Sequence, residues 1–179
     1  MGQKSREDFK ILVERAQNGS KDAFRDIFDR LSNRFFAYIF SRTSNRDDAL
    51  DITQEIFIEL WNALNKFQYR SDEAFYGFIF TITKRKLFRY YKDKHKIVSL
   101  HEGHIRQAEL KQEDHRFLLK QLDALGQKYQ DLLRLRYWSG MTFSEIAAVL
   151  NITETTAKVR HHRALQKLKI NLKKENCDF

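Results

Sequence analysis

The sequence predicts an all-α protein with two small helical domains, and three observations support that prediction. Apolar residues recur every three or four positions through most of the chain, which is the spacing of an amphipathic helix. The 179 residues include no proline and only six glycines, so few residues interrupt a helix. A polar, weakly periodic stretch separates two periodic regions. We therefore expect a four-helix bundle at 1–95, a flexible linker at 96–114 that can include some helix, and a second helical domain at 115–179.

The first domain is predicted to contain four helices. Asn18 and Gly19 end the first helix, and Ser20 is placed to cap the second. A stripe of large apolar residues from Phe24 to Ile39 gives the second helix a buried face. The remaining boundaries are the polar run 43–45, a third helix at about 46–64, a polar loop at 66–72 and a fourth helix at about 73–94.

The second domain is predicted to contain four helices and to end in a helix-turn-helix. Gly126 and Gly140 mark the ends of its first two helices. Thr142 and Glu145 have the spacing of a capping box, in which each side chain bonds the backbone N–H of the other residue. A two-residue turn follows the third helix, and Thr153 caps the last one. Two helices joined in this way can insert the second helix into the major groove of DNA.

The last helix is basic on its outer faces and has no acidic residue between Thr155 and Lys174. Ala157, Ala164 and Leu168 direct its other face inward. Long cationic side chains suit phosphates, and short residues near a helix start suit base edges. An ordinary helical hairpin with a solvated basic face is the alternative. The residues predicted to bind DNA here are Thr142, Thr153, Glu154, Thr155, Thr156, Lys158, Val159, Arg160, His162, Arg163 and Lys167.

Two residues of this helix have more than one interpretation. Val159 is apolar but faces outward, so it either touches a thymine methyl group or is an isolated exposed valine. His161 lies on the inward stripe, which favours a packing role over a DNA contact or a metal ligand. His161 and His162 are adjacent and do not face each other on a helix, which argues against a metal pair.

The third helix carries a row of carboxylates at four-residue steps, formed by Asp47, Asp51, Glu55 and Glu59. A solvated acidic face is the usual explanation for such a row. Because this row lies within a strongly basic chain, it also suits a basic protein partner. A metal-dependent nuclease would need carboxylates that converge from several elements, and a single row does not converge. We therefore expect no metal site and no catalytic residue here.

The fourth helix is apolar in its first half and mixes cations with aromatic residues in its second half. Cations follow a nucleic-acid backbone and aromatic faces stack on unpaired bases, so this mixture suits single-stranded nucleic acid. Leu87 and Tyr91, at i and i+4, are expected in the core. The alternative is that all the aromatic residues are core and the cations only aid solubility. The mixed residues are Lys84, Arg85, Lys86, Phe88, Arg89, Tyr90 and Lys92.

Composition narrows the function classes. The formal net charge of +9 and the pI of about 9.6 suggest a polyanionic partner, nucleic acid first, unless the charge serves only solubility. Cys177 is the only cysteine, which excludes an internal disulfide and fits a reducing cytoplasm. No apolar run is long enough to cross a bilayer. We expect a cytoplasmic protein with no membrane insertion, no cofactor and no small-molecule substrate.

The run 47–61, the segment 67–94 and the stretch 133–168 resemble, in this order, three motifs of the extracytoplasmic-function (ECF) subfamily of sigma-70 factors. The resemblance covers nearly the whole chain. It implies a sigma-2-like bundle for core polymerase binding and for recognition and melting of the −10 element. It also implies a sigma-4-like helix-turn-helix domain that recognises the −35 element.

The resemblance implies partners and roles for individual residues. One partner is core RNA polymerase, bound through its flap and the coiled coil of its largest subunit. The other partners are promoter DNA, in double-stranded and melted form, and an anti-sigma factor. Core binding is implied for Asp47, Asp48, Asp51, Gln54, Glu55, Phe57 and Trp61. Binding and melting of the −10 element are implied for Lys66, Phe67, Gln68, Tyr69, Arg70, Ser71, Asp72, Lys84, Arg85, Lys86, Phe88, Arg89, Tyr90 and Lys92.

The chain departs from the family pattern at three positions. Arg85 and Arg89 stand where the family often has Asn and Asp, which puts base-specific −10 recognition in doubt and favours backbone contact. His161 replaces a residue that is usually apolar.

A stand-alone helix-turn-helix repressor or activator that acts as a dimer is the alternative function. The acidic third helix argues against it, because such a regulator does not need that surface.

Overall fold

The structure is a computed structural model that describes the backbone of residues 8–100 and 113–175 and the side chains of 8–94 and 117–173. The described residues form α-helices, one short 3-10 turn and connecting loops, and no β-strand is found among them. The chain divides into two compact units, which contain the described ranges 8–100 and 113–175. The all-α, two-domain prediction is confirmed.

Four helices build the first unit, and a polar side chain caps the start of each. The Asp8 carboxylate accepts from the backbone N–H of the first helix at 3.1 Å, and Ser20, Asn45 and Ser71 do the same for the other three at 3.3, 3.0 and 3.2 Å. Each cap satisfies an N–H group that the helix leaves free. The helices are α1 (Phe9–Gln17), α2 (Lys21–Thr43), α3 (Arg46–Ala63) and α4 (Asp72–Leu100), with a 3-10 turn at Leu64–Lys66 after α3.

The core of the first unit lies where α1 and α3 pack against α2 and where α4 packs against α3. Phe35 is almost fully buried at its centre, with edge-to-face or tilted rings from Phe57 and Phe80 at 6.3 and 6.4 Å. Each buried side chain of this size contributes about 1.5–3 kcal/mol by leaving water. The other fully buried large side chains of this unit are Leu12, Ile27, Leu31, Ile39, Ile56, Leu60, Leu64, Phe75 and Ile79.

The second unit consists of α5 (Glu113–Asp123), α6 (Gln127–Tyr137), α7 (Phe143–Leu150) and α8 (Glu154–Glu175). Leu132, Leu135 and Ile146 are fully buried in its core. Arg134 is also buried, and its guanidinium bonds the carboxylate of Asp123 and, at 2.9 Å, the side chain of Gln130. This charge-assisted pairing joins α5 to α6.

Helix α4 is longer than the sequence predicted. Its backbone continues six residues beyond Lys94, to Leu100, and so enters the segment 96–114 that we predicted to be a linker. The added residues contain neither proline nor glycine, so nothing in them ends a helix. Residues 101–112 lie outside the described part of the chain, and the linker predicted there stays a prediction.

Candidate functional site

The helix-turn-helix formed by α7 and α8 has the predicted capping box. The Thr142 hydroxyl accepts from the Glu145 backbone N–H at 3.2 Å, and the Glu145 carboxylate accepts from the Thr142 N–H at 2.8 Å. Asn151 ends α7 in the left-handed region with φ 52°. The Thr153 hydroxyl then accepts from the Thr156 N–H at 3.1 Å and starts α8. Local hydrogen bonds therefore fix both ends of the turn.

A second set of contacts holds the start of α7 against α6. The Arg136 guanidinium donates to the Met141 carbonyl at 2.7 Å and lies 4.9 Å from the ring centre of Phe143. His161 of α8 completes this contact, with its ring 5.3 Å from Phe143 and its Nε2 3.1 Å from the Tyr137 hydroxyl. The pKa of His161 is lowered, mainly because the ring is half-buried and secondly because the charge of Arg136 is nearby. The prediction that His161 is a packing residue is confirmed.

Helix α8 divides into a buried and an exposed face as predicted. Ala157 and Ala164 are fully buried, and Leu168 is half-buried. Val159 is 46% exposed on the opposite face. Lys158 is exposed as well, but its ammonium pairs with the Glu154 carboxylate at 2.7 Å. The other predicted DNA-binding residues are half-buried at Arg160 and exposed at Thr142, Thr153, Thr155, Thr156, His162, Arg163 and Lys167.

Two residues that the sequence prediction missed lie beside this face. Lys128 and Tyr129, in the first turn of α6, line a groove of about 250 Å³ together with side chains of α8. They lie two and three residues after Gly126, but only the packing of α6 against α8 places them next to the predicted DNA-binding residues. We call this surface the basic groove; its residues are Lys128, Tyr129, Thr155, Thr156, Val159, Arg160 and Arg163.

Helix α3 exposes the predicted acidic row together with two apolar residues. Asp47 and Asp51 are exposed and form no ion pair within the part of the chain that the structure describes. Leu50 and Ile58 are also exposed, Ile58 by 63%, and both project on the same side as Asp51 and Gln54. Sequence analysis missed them, although both fall outside the buried apolar stripe. We call this surface the docking face, comprising Asp47, Leu50, Asp51, Gln54 and Ile58.

The prediction that the Phe57 side chain contacts a partner is wrong. Phe57 is only 3% exposed, and its ring packs edge-to-face on Phe28 at 4.8 Å. Trp61 is half-buried against Phe24, with ring centres 4.9 Å apart. Phe57 therefore supports α3 from beneath, and Trp61 offers only part of its ring to a partner.

Ion pairs connect the acidic row to the basic half of α4. The Lys86 ammonium lies 2.8 Å from the Glu55 carboxylate and 3.5 Å from that of Glu59, and Arg85 also pairs with Glu59. The side chain of Lys86 is only 15% exposed. It therefore holds α4 against α3 in this structure, and its role in binding the DNA strand stays a prediction. We call these contacts the α3–α4 ion-pair seam.

A further polar cluster lies along the same two helices. The Tyr90 hydroxyl donates to the Asp48 carboxylate at 2.7 Å, and the Lys94 ammonium lies 3.1 Å from that carboxylate. Burial alone would raise the pKa of Asp48. The pKa is nevertheless lowered, because Tyr90 and Lys94 donate hydrogen bonds to the carboxylate and Lys94 carries a positive charge. Asp48 and Tyr90 thus bond each other across α3 and α4, whereas the sequence analysis had assigned them to different partners.

The outer surface of α4 presents cations around one exposed ring. Phe88 is 72% exposed. Leu87 is buried in the core as predicted. Tyr91 is only half-buried and donates its hydroxyl to the Arg42 carbonyl at 2.8 Å. Among the described side chains of this helix, the exposed cations are Lys84, Arg85, Arg89, Lys92 and Lys94, of which Arg85 and Lys94 pair with carboxylates of α3.

The loop 66–72 is held at both ends. The Gln17 side chain donates to the carbonyls of Leu64 and Phe67 at 3.0 and 2.6 Å. The Phe67 ring stacks on Phe78 at 4.8 Å. At the far end the Tyr69 hydroxyl donates a hydrogen bond to the Asp72 carboxylate. The pKa of Tyr69 is raised, mainly by burial and secondly by this hydrogen bond. Of the other loop residues, Ser71 caps α4, and the exposed ones are Lys66, Gln68 and Arg70.

An apolar groove of about 290 Å³ lies on the second unit between α5, α6 and α8. It is lined by Leu118, Leu122, Leu133, Tyr137, Trp138, Leu165 and Leu168.

Within the described ranges no group of three or more His, Cys, Asp or Glu residues is arranged to bind a metal ion. A search of the same ranges found no helix long and apolar enough to span a membrane.

Two family models match the chain. "Sigma-70 region 2" matches residues 27–97, and "Sigma-70, region 4" matches residues 117–168. The first match contains the docking face and the seam, and the second contains the basic groove and the helix-turn-helix. Together they cover most of the described residues of both units.

Individual relatives agree with these matches. The chain is 30% identical over 145 residues to the RNA polymerase sigma factor SigV of Bacillus subtilis, covering 79% of this chain and 86% of that protein. It is 28% identical over 167 residues to the ECF RNA polymerase sigma factor BldN of Streptomyces coelicolor, covering 88% of this chain but 63% of that longer protein. The sigma factor RpoE of Bartonella quintana, solved with the anti-sigma factor NepR, has the same fold, with a TM-score of 0.64 at 22% identity over 86% of this chain and 98% of that one.

Proposed function

The chain belongs to the ECF group of the sigma-70 family, and we propose on this premise that it binds core RNA polymerase and directs promoter-specific initiation of transcription. Sigma factors are specificity subunits, and we assign no catalytic step to this chain. The observation that carries the proposal is the helix-turn-helix whose α8 exposes cations and short polar residues on the side opposite its buried alanines. That surface has the size and charge of a major-groove reader.

The docking face is the proposed site for core polymerase. Its carboxylates Asp47 and Asp51 are free to pair with a basic partner, which fits the coiled coil of the largest subunit that the family resemblance implies. Leu50 and Ile58 supply apolar surface between the charges. Charged groups at an interface mainly set orientation and association rate, whereas buried apolar groups supply much of the affinity. The docking face contains both kinds of group.

Helix α8 is proposed to read the −35 element in the major groove. Thr155 and Thr156 lie near the start of the helix, where short side chains reach base edges. Arg163 and Lys167, further along, suit phosphates. Val159 lies between these two groups and can contact a thymine methyl. The exposure of all five side chains supports this assignment.

The outer surface of α4 and the loop 66–72 are proposed to bind and melt the −10 element. Phe88 offers a free ring face to an unpaired base, and the exposed Arg89 and Lys92 are placed to hold the strand. A base that leaves the stack costs a few kcal/mol, so a loop that captures it favours melting. The stacked Phe67 and Phe78 give that loop a fixed aromatic wall.

The apolar groove of the second unit is proposed as a second protein-binding surface. Besides DNA and the coiled coil, the family resemblance implies two further partners. These are the polymerase flap and an anti-sigma factor. A groove lined by leucines and Trp138 suits an apolar helix from either protein. The two partners would then compete for this groove, which provides a way to keep the factor inactive.

Transcription in vitro tests the proposed function. Core polymerase reconstituted with the chain should initiate at a small set of genomic positions, and these should share two short elements upstream of the start. Permanganate should modify thymines near the start only when the chain is present. Arg163→Glu should abolish this selection but leave core binding intact, because the docking face lies in the other unit. A chain that does not bind core, or that binds a palindrome without polymerase, would exclude the proposal.

A further inference from the structure

We propose that the basic groove beside α8 is a phosphate clamp, which holds the DNA backbone next to the bases that α8 reads and does so regardless of base sequence. The inference rests on the proposed function, because it requires α8 to enter the major groove. It assigns a DNA contact to Lys128 and Tyr129 of α6, which lie outside the helix-turn-helix.

The geometry of the groove brings cations from two helices around one aromatic ring. The half-buried Tyr129 has the Lys128 ammonium 5.3 Å and the Lys167 ammonium 5.8 Å from its ring centre. Arg160 and Arg163 line the same groove. Cations within about 6 Å of a ring face are attracted to it, so Tyr129 helps to hold the two ammonium groups in place.

The charges of the groove are not neutralised by the described parts of the chain. No carboxylate lines it, and neither its cations Lys128, Arg160 and Arg163 nor the adjacent Lys167 forms an ion pair with a described residue. Lys158, on the same helix but outside the groove, differs in this respect, because it pairs with Glu154 at 2.7 Å. Clustered and unpaired cations repel each other, and an external anion relieves that repulsion.

The position of the groove favours a DNA phosphate over a free small anion. One wall is formed by Thr155, Thr156 and Val159, which are proposed to face base edges. A backbone phosphate in the groove would therefore lie beside the bases that those residues contact. Phosphate contacts from outside the reading helix fix its register on the duplex without carrying sequence information. The Tyr129 hydroxyl is a further donor for the same phosphate.

The salt dependence of DNA binding tests the clamp. Holoenzyme reconstituted with the full chain is titrated at several KCl concentrations against a labelled promoter duplex selected by this holoenzyme and against a duplex with a scrambled −35 element. Lys128→Gln should reduce the slope of log K against log salt by about 0.9, the value expected for one lost phosphate contact on duplex DNA. Affinity should fall by a similar factor on both duplexes. Lys167→Gln is a second variant with the same expectation.

Lys10→Gln is the control, because Lys10 is exposed on α1, pairs with Glu14 and belongs to neither proposed DNA surface. Thermal unfolding of each variant checks that it is folded. Lys128 and Lys167 variants with an unchanged slope overturn the clamp, and so does an affinity loss confined to the promoter duplex, which would indicate base reading. Calorimetric binding of inorganic phosphate by the free chain that is lost in Lys128→Gln would indicate a small-anion site instead. Wild-type holoenzyme that does not distinguish the two duplexes would count against the proposed function itself.

Discussion

Among single residues, Thr142 controls how the helix-turn-helix begins. Its hydroxyl accepts from the Glu145 N–H at 3.2 Å, which otherwise has no partner within the helix. Thr142→Ala should therefore cost about 1 kcal/mol, the usual value for a lost N-terminal cap. The amides of α7 should exchange with deuterium about fivefold faster in the native state. Thr142→Ser keeps the hydroxyl and should exchange at the wild-type rate; equal rates in the Ala variant would exclude a contribution of the cap.

His161 should make the stability of the second unit depend on pH. Its pKa is lower in the folded chain than the ordinary value of 6.5, so the unfolded chain binds the proton more readily. The contribution of neutral His161 to stability is therefore complete above about pH 6.5 and is lost as the pH falls through the lowered folded pKa. Urea unfolding should show a smaller loss of stability between pH 7.5 and 5 in His161→Gln than in wild type. Identical losses would contradict this linkage.

The residues that sequence analysis predicted well are those fixed by local rules. Thr142, Glu145 and Ser20 cap helices because the capping pattern is short and visible in sequence. Phe57 was assigned to the wrong face because it lies close in sequence to Glu55. Two residues along an α-helix correspond to about 200° of rotation, so Phe57 points away from the acidic row.

At the level of helices, the α3–α4 ion-pair seam is the feature that the sequence could not predict. The acidic row of α3 and the cations of α4 were each visible, but their pairing depends on how the two helices pack. Glu55 and Glu59 repel each other at i and i+4, and the covered ammonium of Lys86 lies between them. The seam therefore places part of the predicted partner surface and part of the predicted DNA surface in contact with each other.

Removing the central cation of the seam should destabilise the first unit. Lys86→Gln leaves Glu55 and Glu59 without their shared partner and should lower the free energy of unfolding by about 1–2 kcal/mol, between the values for exposed and buried pairs. Urea denaturation followed by circular dichroism measures the change. Lys92→Gln, on an exposed face of the same helix, should change stability by less than about 0.5 kcal/mol. A Lys86 variant as stable as the Lys92 variant would mean that the seam contributes nothing.

Helix boundaries were predictable to the extent that the sequence contains signals for them. The ends of α1 and α7 coincide with Gly19 and Asn151, whose positive φ values of 88° and 52° stop a helix. The end of α4 was placed too early, because a polar composition was interpreted as a linker although no residue there breaks a helix. Composition predicts exposure more reliably than it predicts the end of a helix.

Across the whole molecule, the net charge of +9 is distributed unevenly. Exposed cations cluster on the outer surface of α4 and around α8, whereas the docking face of α3 carries the exposed carboxylates Asp47 and Asp51 and no exposed cation. Composition alone predicted a polyanionic partner but not this separation. The separation allows one chain to bind a basic protein and an acidic polymer at the same time, because each partner is repelled by the surface meant for the other.

Reversing one charge on the docking face should therefore separate polymerase binding from folding. Asp51 is exposed and forms no ion pair with any described residue, so Asp51→Lys should leave thermal unfolding unchanged. The new cation would face a basic partner, where like charges cost several kcal/mol, and core binding in a pull-down should fall at least about tenfold. Glu55 is a poorer choice for this test, because its pairing with Lys86 would couple binding to the seam. Asp29→Lys, an equal charge change at an exposed position of α2, should retain core polymerase. Equal retention by the two variants would remove Asp51 from the interface and leave the apolar residues of α3 as the principal contact.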